Sequence, residues 1–179
     1  MAMIRQLTAA DEELVKAFLT ERISSSFILL ANATAVGLQD EGKIRHGTYV
    51  GAFEQDTLVS LVSHNWNGNL LFQAPKYAAE LARAALEHSS RDLKGLVGPW
   101  SQVAEARKHL KLEARPTLYD HKEVLFALSL QKLRVPELLS TGEAICRRSA
   151  STDFDELTDF LLLDTARFGE PYTSEHIAK

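Results

Sequence analysis

The sequence predicts a mixed α/β (α+β) protein built on a central, mostly antiparallel sheet flanked by helices. Three observations carry this. Apolar residues recur at helical spacing near the N-terminus and again from Ala78 to Leu86. Between them, three short extended segments rich in apolar and β-branched residues follow one another, separated by turn residues. From Leu93 onward a strand and a helix alternate.

Met3 to Leu7 reads as a short strand, and Thr8 as the N-cap of a helix whose first turn carries Asp11, Glu12 and Glu13. Leu14, Val15, Phe18 and Leu19 then share one helical face. A second helix is expected from Ile23 to Leu38, with Ser24 to Ser26 as caps and Gly37 near its end. The polar stretch Asp40 to Gly47 is a loop, and Thr48 to Phe53 and Leu58 to His64 form a hairpin across Glu54-Gln55-Asp56-Thr57. Asn67-Gly68 turns the chain into a third antiparallel strand, Leu70 to Gln73.

Pro75 suits the first turn of the alanine-rich helix that follows. Leu93 to Val97 reads as a strand, Gly98-Pro99 as its break, and Ser101 as the cap of a helix over Val103 to Leu112. Val124, Phe126, Leu128 and Leu130 alternate, so Glu123 to Leu133 is expected to close the sheet as its last strand. The domain reading is therefore 1–133, a connector at 134–142 containing Pro136 and Gly142, and the start of a second domain at 143–179.

That last part repeats the opening. Ile4 to Thr8 followed by Asp11, Glu13, Leu14, Phe18 and Leu19 has a counterpart in Ile145 to Arg148 followed by Asp153, Glu156, Leu157, Phe160 and Leu161. The alternative is coincidence, since any strand with a capped helix yields such a match. Gly169 to Lys179, with Pro171, shows little periodicity and reads as an interrupted second unit.

Composition narrows the function classes. At 45% hydrophobic and 25% charged residues, the chain can bury an ordinary core without disulfide or metal staples. A net charge of −4 with scattered basic residues gives no positive track for nucleic acid or an anionic membrane. The one cysteine, Cys146, cannot pair internally and reads as a small packing residue; with no secretory pattern at Met1 to Arg5, a cytoplasmic location is expected. Apolar runs such as Phe27 to Ala31 fall far short of the roughly 20 residues that span a bilayer. His46, His88, His121 and His176 lack ligand spacing, so no metal site is expected.

The element order, together with Tyr49 to Glu54, Leu58 to Val62, Val97-Gly98-Pro99 and Val124 to Leu128, resembles the GNAT superfamily of N-acetyltransferases. More narrowly, it resembles the degenerate first half of bacterial proteins that carry two such domains in tandem. Arg147-Arg148, Asp155-Glu156-Leu157 and Phe168-Gly169-Glu170 look like the opening of the second, catalytic domain. The resemblance implies acyl-CoA-dependent N-acyl transfer in the parent protein and acetyl-CoA as cofactor. It implies as partner a second GNAT domain or another copy of the chain in a homodimer.

Residues can be carried over position by position. The family holds the cofactor's pyrophosphate on backbone N–H groups of a glycine-containing loop after the fourth strand. Here that place is Gln73-Ala74-Pro75-Lys76-Tyr77-Ala78, with no glycine and with a proline that removes a donor. Gln73, Ala74, Lys76 and Tyr77 are thus candidate cofactor contacts in a degenerate cradle, the alternative for Lys76 being a solvated surface lysine. The family's tyrosine acid falls at His109, where an exposed basic helix end is equally natural, with Tyr119 as a second candidate or a cover for the core edge. Glu54 and His64 are the candidate bases on the central strands, against a solvated Glu54 and a His64 that only caps a strand end.

Two readings follow: a supporting, non-catalytic half of an acyltransferase, or a stand-alone module for association or small-ligand binding.

Overall fold

The computed structural model describes residues 2–168, and the chain divides into two compact units, Met1–Ala127 and Leu128–Lys179. The sequence expectations for Gly169 to Lys179 lie outside the described residues.

The first unit is an α+β fold around a five-stranded sheet in the order β1-β2-β3-β4-β5. Its strands are β1 (Met3–Gln6), β2 (Gly47–Glu54), β3 (Thr57–Asn65), β4 (Asn69–Gln73) and β5 (Gly95–Val97). The first four pair antiparallel; β5 joins β4 in parallel, Leu70 opposite Leu96. Only a crossover permits that last pairing, and α3 (Ala78–His88) supplies it. The β2–β3 hairpin turns on Gln55 and Asp56 at φ 47° and 63°, the left-handed pair that matches strand twist.

Strand periodicity sorts side chains onto two faces. Tyr49, Leu61 and Leu71 meet Val15, Phe18 and Leu19 of α1 (Glu12–Thr20) and Leu29 and Ala33 of α2 (Ile23–Val36). Val50, Val62, Leu70 and Phe72 meet Ala78, Leu81, Ala82 and Ala85 of α3 and Ala106 of α4 (Trp100–His109). Alanine on the sheet-facing side of α3 lets that helix lie close to the strands. Leu14, expected on the buried face of α1, is 40% exposed.

Several sequence expectations are corrected. Ser25 and Ser26 lie inside the first turn of α2 rather than capping it: Ser26 Oγ donates to Leu19 O at 2.7 Å and Arg22 O at 2.8 Å. Pro75 lies three positions before Ala78, the first residue of α3, and Tyr77, at φ 61°, sits at the N-cap. Pro99 occupies the N-cap of α4, so Ser101 is within the helix.

Glu123 to Leu133 forms no strand; Leu130–Lys132 is a single 3-10 turn, and Val124, Phe126, Leu128 and Leu130 are all at least 62% exposed. Alternation signals a strand only where a neighbouring edge and a second layer are offered to it, and the sheet ends at β5.

The second unit contains α5 (Glu137–Ser140) and α6 (Phe154–Phe168), with no strand at Ile145 to Arg148 and with Cys146 exposed. Its opening nevertheless reproduces that of the first. Arg5 donates to Asp11 Oδ1 and Oδ2 at 2.6 and 2.9 Å, and Arg147 donates to Asp153 at 2.8 and 2.5 Å. Asp11 Oδ2 accepts the Thr8 N–H at 2.9 Å, and Asp153 Oδ2 that of Ala150 at 2.8 Å. Each aspartate closes a 3-10 turn, Ala9–Asp11 or Ser151–Asp153, that runs straight into a helix. The guanidinium beside each carboxyl holds its pKa down at about 2.

The two openings align at a single offset. Arg5 and Arg147, Asp11 and Asp153, Phe18 and Phe160, and Leu19 and Leu161 stand a constant 142 residues apart, which pairs Leu157 with Val15 rather than Leu14.

Candidate functional site

Two backbone amides of the loop between β4 and α3 are held by protein acceptors. Ala74 N–H donates to Gln102 Oε1, reaching across from α4, at 2.7 Å in a buried contact. Lys76 N–H donates to Ser60 Oγ at 3.1 Å. Pro75 has no N–H to offer. Gln73, 4% exposed, turns its Oε1 to the Ser25 hydroxyl of α2 at 2.7 Å.

The side chains of the loop converge on Glu54 instead. Lys76 Nζ donates to both Glu54 oxygens at 3.0 and 2.9 Å, and the Tyr77 hydroxyl donates to Oε1 at 2.7 Å. The ammonium and the phenol hold the Glu54 carboxyl below its usual range, and the carboxylate in turn raises the Lys76 and Tyr77 pKa values. A carboxylate held ionised between two donors is a weak base. Sequence reasoning placed Glu54 in solvent and missed this clamp, because its partners come from the far side of the β3–β4 turn.

His64 stands apart from that cluster. Its register partner Thr48 is six residues from Glu54 along β2, roughly 20 Å at strand rise. The imidazole is fully buried, and neither ring nitrogen makes a hydrogen bond of ordinary geometry. Burial, the largest cause, lowers its pKa and the Arg91 charge adds to this, against the opposing pull of the Gly68 and Asp92 backbone and the Asp40 charge. Nearby, Arg91 forms a bidentate pair with Asp40 at 2.5 Å per contact, and Thr48 Oγ1 donates to Asp40 Oδ2 at 2.8 Å. The guanidinium keeps the Asp40 pKa at about 2. His64 lies at the end of β3 as expected, and it is fully buried there.

His109 is exposed at the end of α4, its Nδ1 3.0 Å from Glu105 O. The Tyr119 hydroxyl donates to Glu123 Oε1 at 2.7 Å, and its ring centroid lies 4.2 Å from that of His121. The structure thus brings Glu54, Lys76 and Tyr77 together and leaves His64 elsewhere. Gln102 and Ser60 carry no motif that would have singled them out. Among the described residues, no group of three or more His, Cys, Asp or Glu side chains could hold a metal ion. No described helix is long and apolar enough to cross a membrane.

A groove of about 510 Å³ opens where β4 and β5 part, between Ser25 and Ile28 of α2, Val97 and Gly98 after β5, and Trp100 of α4. Gly98 lets the chain after β5 lie tightly against β4 at the head of this groove: at φ 156°, an added Cβ would come within 2.7 Å of Phe72 Cβ. Tyr119, His121 and Leu125 form the outer wall, and Lys122 Nζ lies 5.9 Å from the Trp100 ring centroid.

No family model matches the chain, and no curated protein matches it. Among solved structures it is similar to "a possible acetyltransferase from Clostridium difficile 630", at 15% identity over 72% of this chain and 99% of that one, with a TM-score of 0.38. An overlap that loose carries no argument about chemistry.

Proposed function

We propose that the first unit is an acyltransferase-like domain that performs no acyl transfer and serves as the supporting half of a two-domain protein. The observation that carries this reading is the capture of the Ala74 and Lys76 amides by Gln102 and Ser60. A pyrophosphate bound in the family's pose would have to displace both, in a loop where Pro75 offers nothing in return. The candidate base nearest that loop is equally committed, since Glu54 is occupied by Lys76 and Tyr77.

The duplicated turn supports the second half of the proposal. The Arg147–Asp153 pair and the helix it opens match Arg5–Asp11 in partner atoms and spacing. On this reading residues 143–179 open a second domain of the same kind, and acetyl-CoA belongs to that domain. Thiol release from acetyl-CoA, followed with a panel of amines, tests the first claim. No release above background is expected from this polypeptide, whereas turnover that Gln102→Ala alters would contradict it.

A second reading, a small-ligand-binding module, is favoured by the groove beside Trp100, which is of ordinary ligand size and lies at the ends of two parallel strands.

A further inference from the structure

We propose that two copies of this chain pair through β5, each laying its own Val124 to Leu130 segment against the sheet edge of the other. The edge is available: β5 is hydrogen-bonded to β4 on one side and is the last strand of the sheet. A groove of about 560 Å³ lies against it, with Gly95 and Leu96 on one side and Leu112, Pro116 and Tyr119 on the other. A strand laid beside a sheet needs a site of this kind, because neighbouring strands stand only about 4.8 Å apart.

The occupant is written in the same chain. Val124, Phe126, Leu128 and Leu130 alternate as a strand does, yet they are 70%, 88%, 62% and 81% exposed and lie in no strand. The segment contains no proline, glycine or charge, the composition that most readily adds to an open edge. An unpaired edge and an unpaired strand on one molecule are self-complementary. A two-fold axis satisfies both pairs at once, so the exchange closes at two copies.

The area is also adequate. At about 60 to 120 Å² per fully buried aliphatic or aromatic side chain, these four with Leu125 remove several hundred Å² per copy, on the order of 1,000 Å² per pair. Stable interfaces begin near that figure.

Sedimentation equilibrium combined with amide hydrogen exchange tests the proposal on the full chain. The expected result is a dimer in which exchange at Gly95 to Val97 and at Val124 to Leu130 slows together by at least about tenfold as concentration rises. Phe126→Asp, a change at an exposed position, should raise the dimer dissociation constant by about 30-fold or more and release protection at both segments. Ile44→Asp, on an exposed apolar side chain that lines neither the groove nor the exchanged segment, controls for added charge and should leave the dimer intact. A chain that stays monomeric would overturn the proposal, and protection in that monomer would mean that each segment occupies its own edge. A dimer in which the two segments exchange freely, or one indifferent to Phe126→Asp, would overturn it as well.

Discussion

Gln102, carried on α4, accepts the Ala74 backbone N–H at 2.7 Å and so ties the end of β4 to the helix three elements further along the chain. The contact is buried, with Gln102 9% and Ala74 1% exposed, and water cannot replace either partner cheaply. It fixes the conformation of a loop that would otherwise present an open amide.

Truncating that acceptor should be costly. Gln102→Ala strands a buried donor and is expected to destabilise the first unit by about 1 to 3 kcal/mol, read from urea unfolding. Gln102→Glu keeps an acceptor oxygen and should lose less. Equal stability of the alanine variant and the wild type would mean that the amide finds another partner.

A charge pair elsewhere sets the acid limit. Arg91 holds the Asp40 pKa at about 2, below its ordinary 3.8, so the folded state favours the ionised form. The resulting stability is fully present above about pH 4 and is lost as pH falls through about 2. With the Asp40 side chain 16% exposed, the contribution is on the order of 2 kcal/mol. Asp40→Asn should remove most of it at pH 7 and flatten the decline below pH 4 in an acid-unfolding series. Unchanged acid unfolding in that variant would contradict the assignment.

His64 acts in a different window. Burial lowers its folded pKa below the ordinary 6.5, so its contribution is present above 6.5 and falls as pH drops through the lowered value. His64→Gln should weaken the pH dependence of unfolding free energy below 6.5 without touching the lower, Asp40-controlled limb. A variant with the wild-type slope in that range would show that the imidazole does not titrate on unfolding.

Gly98→Ala tests the close approach of the chain after β5 to Phe72 of β4. The added methyl would meet Phe72 Cβ at 2.7 Å and Phe72 O at 2.9 Å, at a φ that side chains rarely adopt. A loss of about 2 kcal/mol or more in thermal or urea unfolding is expected. A neutral substitution would mean that Phe72 and the backbone at Gly98 can move apart at little cost.

How much of this was legible in the sequence depends on the distance over which the signal acts. The β2–β3 hairpin was readable because Gln55 and Asp56 separate two apolar runs by the spacing a two-residue turn needs. α1 was readable because Val15, Phe18 and Leu19 recur with the helical period. Pro75 and Ser101 misplaced helix starts because a residue can suit a cap that the local backbone builds elsewhere, here on Tyr77 and Pro99. Glu123 to Leu133 has the period of a strand, but period reports what a segment can pair with, not whether a partner edge reaches it.

For the site, the absence of glycine from Gln73 to Ala78 pointed to a degenerate cradle. The residues that occupy its amides, Gln102 and Ser60, carry no such mark, being 28 and 16 residues away in sequence from the atoms they bind. Glu54, His64, His109 and Tyr119 were selected by residue type, and type alone could not place His64 roughly 20 Å along the sheet from Glu54.

Thermal unfolding of the full chain in a titration with acetyl-CoA tests the central claim most directly. A ligand that binds the folded state at 100 times its dissociation constant adds about 2.7 kcal/mol and must raise the midpoint. With the Ala74 and Lys76 amides held by Gln102 and Ser60, the midpoint should stay constant up to millimolar acetyl-CoA. A rise that grows with acetyl-CoA concentration, and that coenzyme A alone reproduces, would contradict the account.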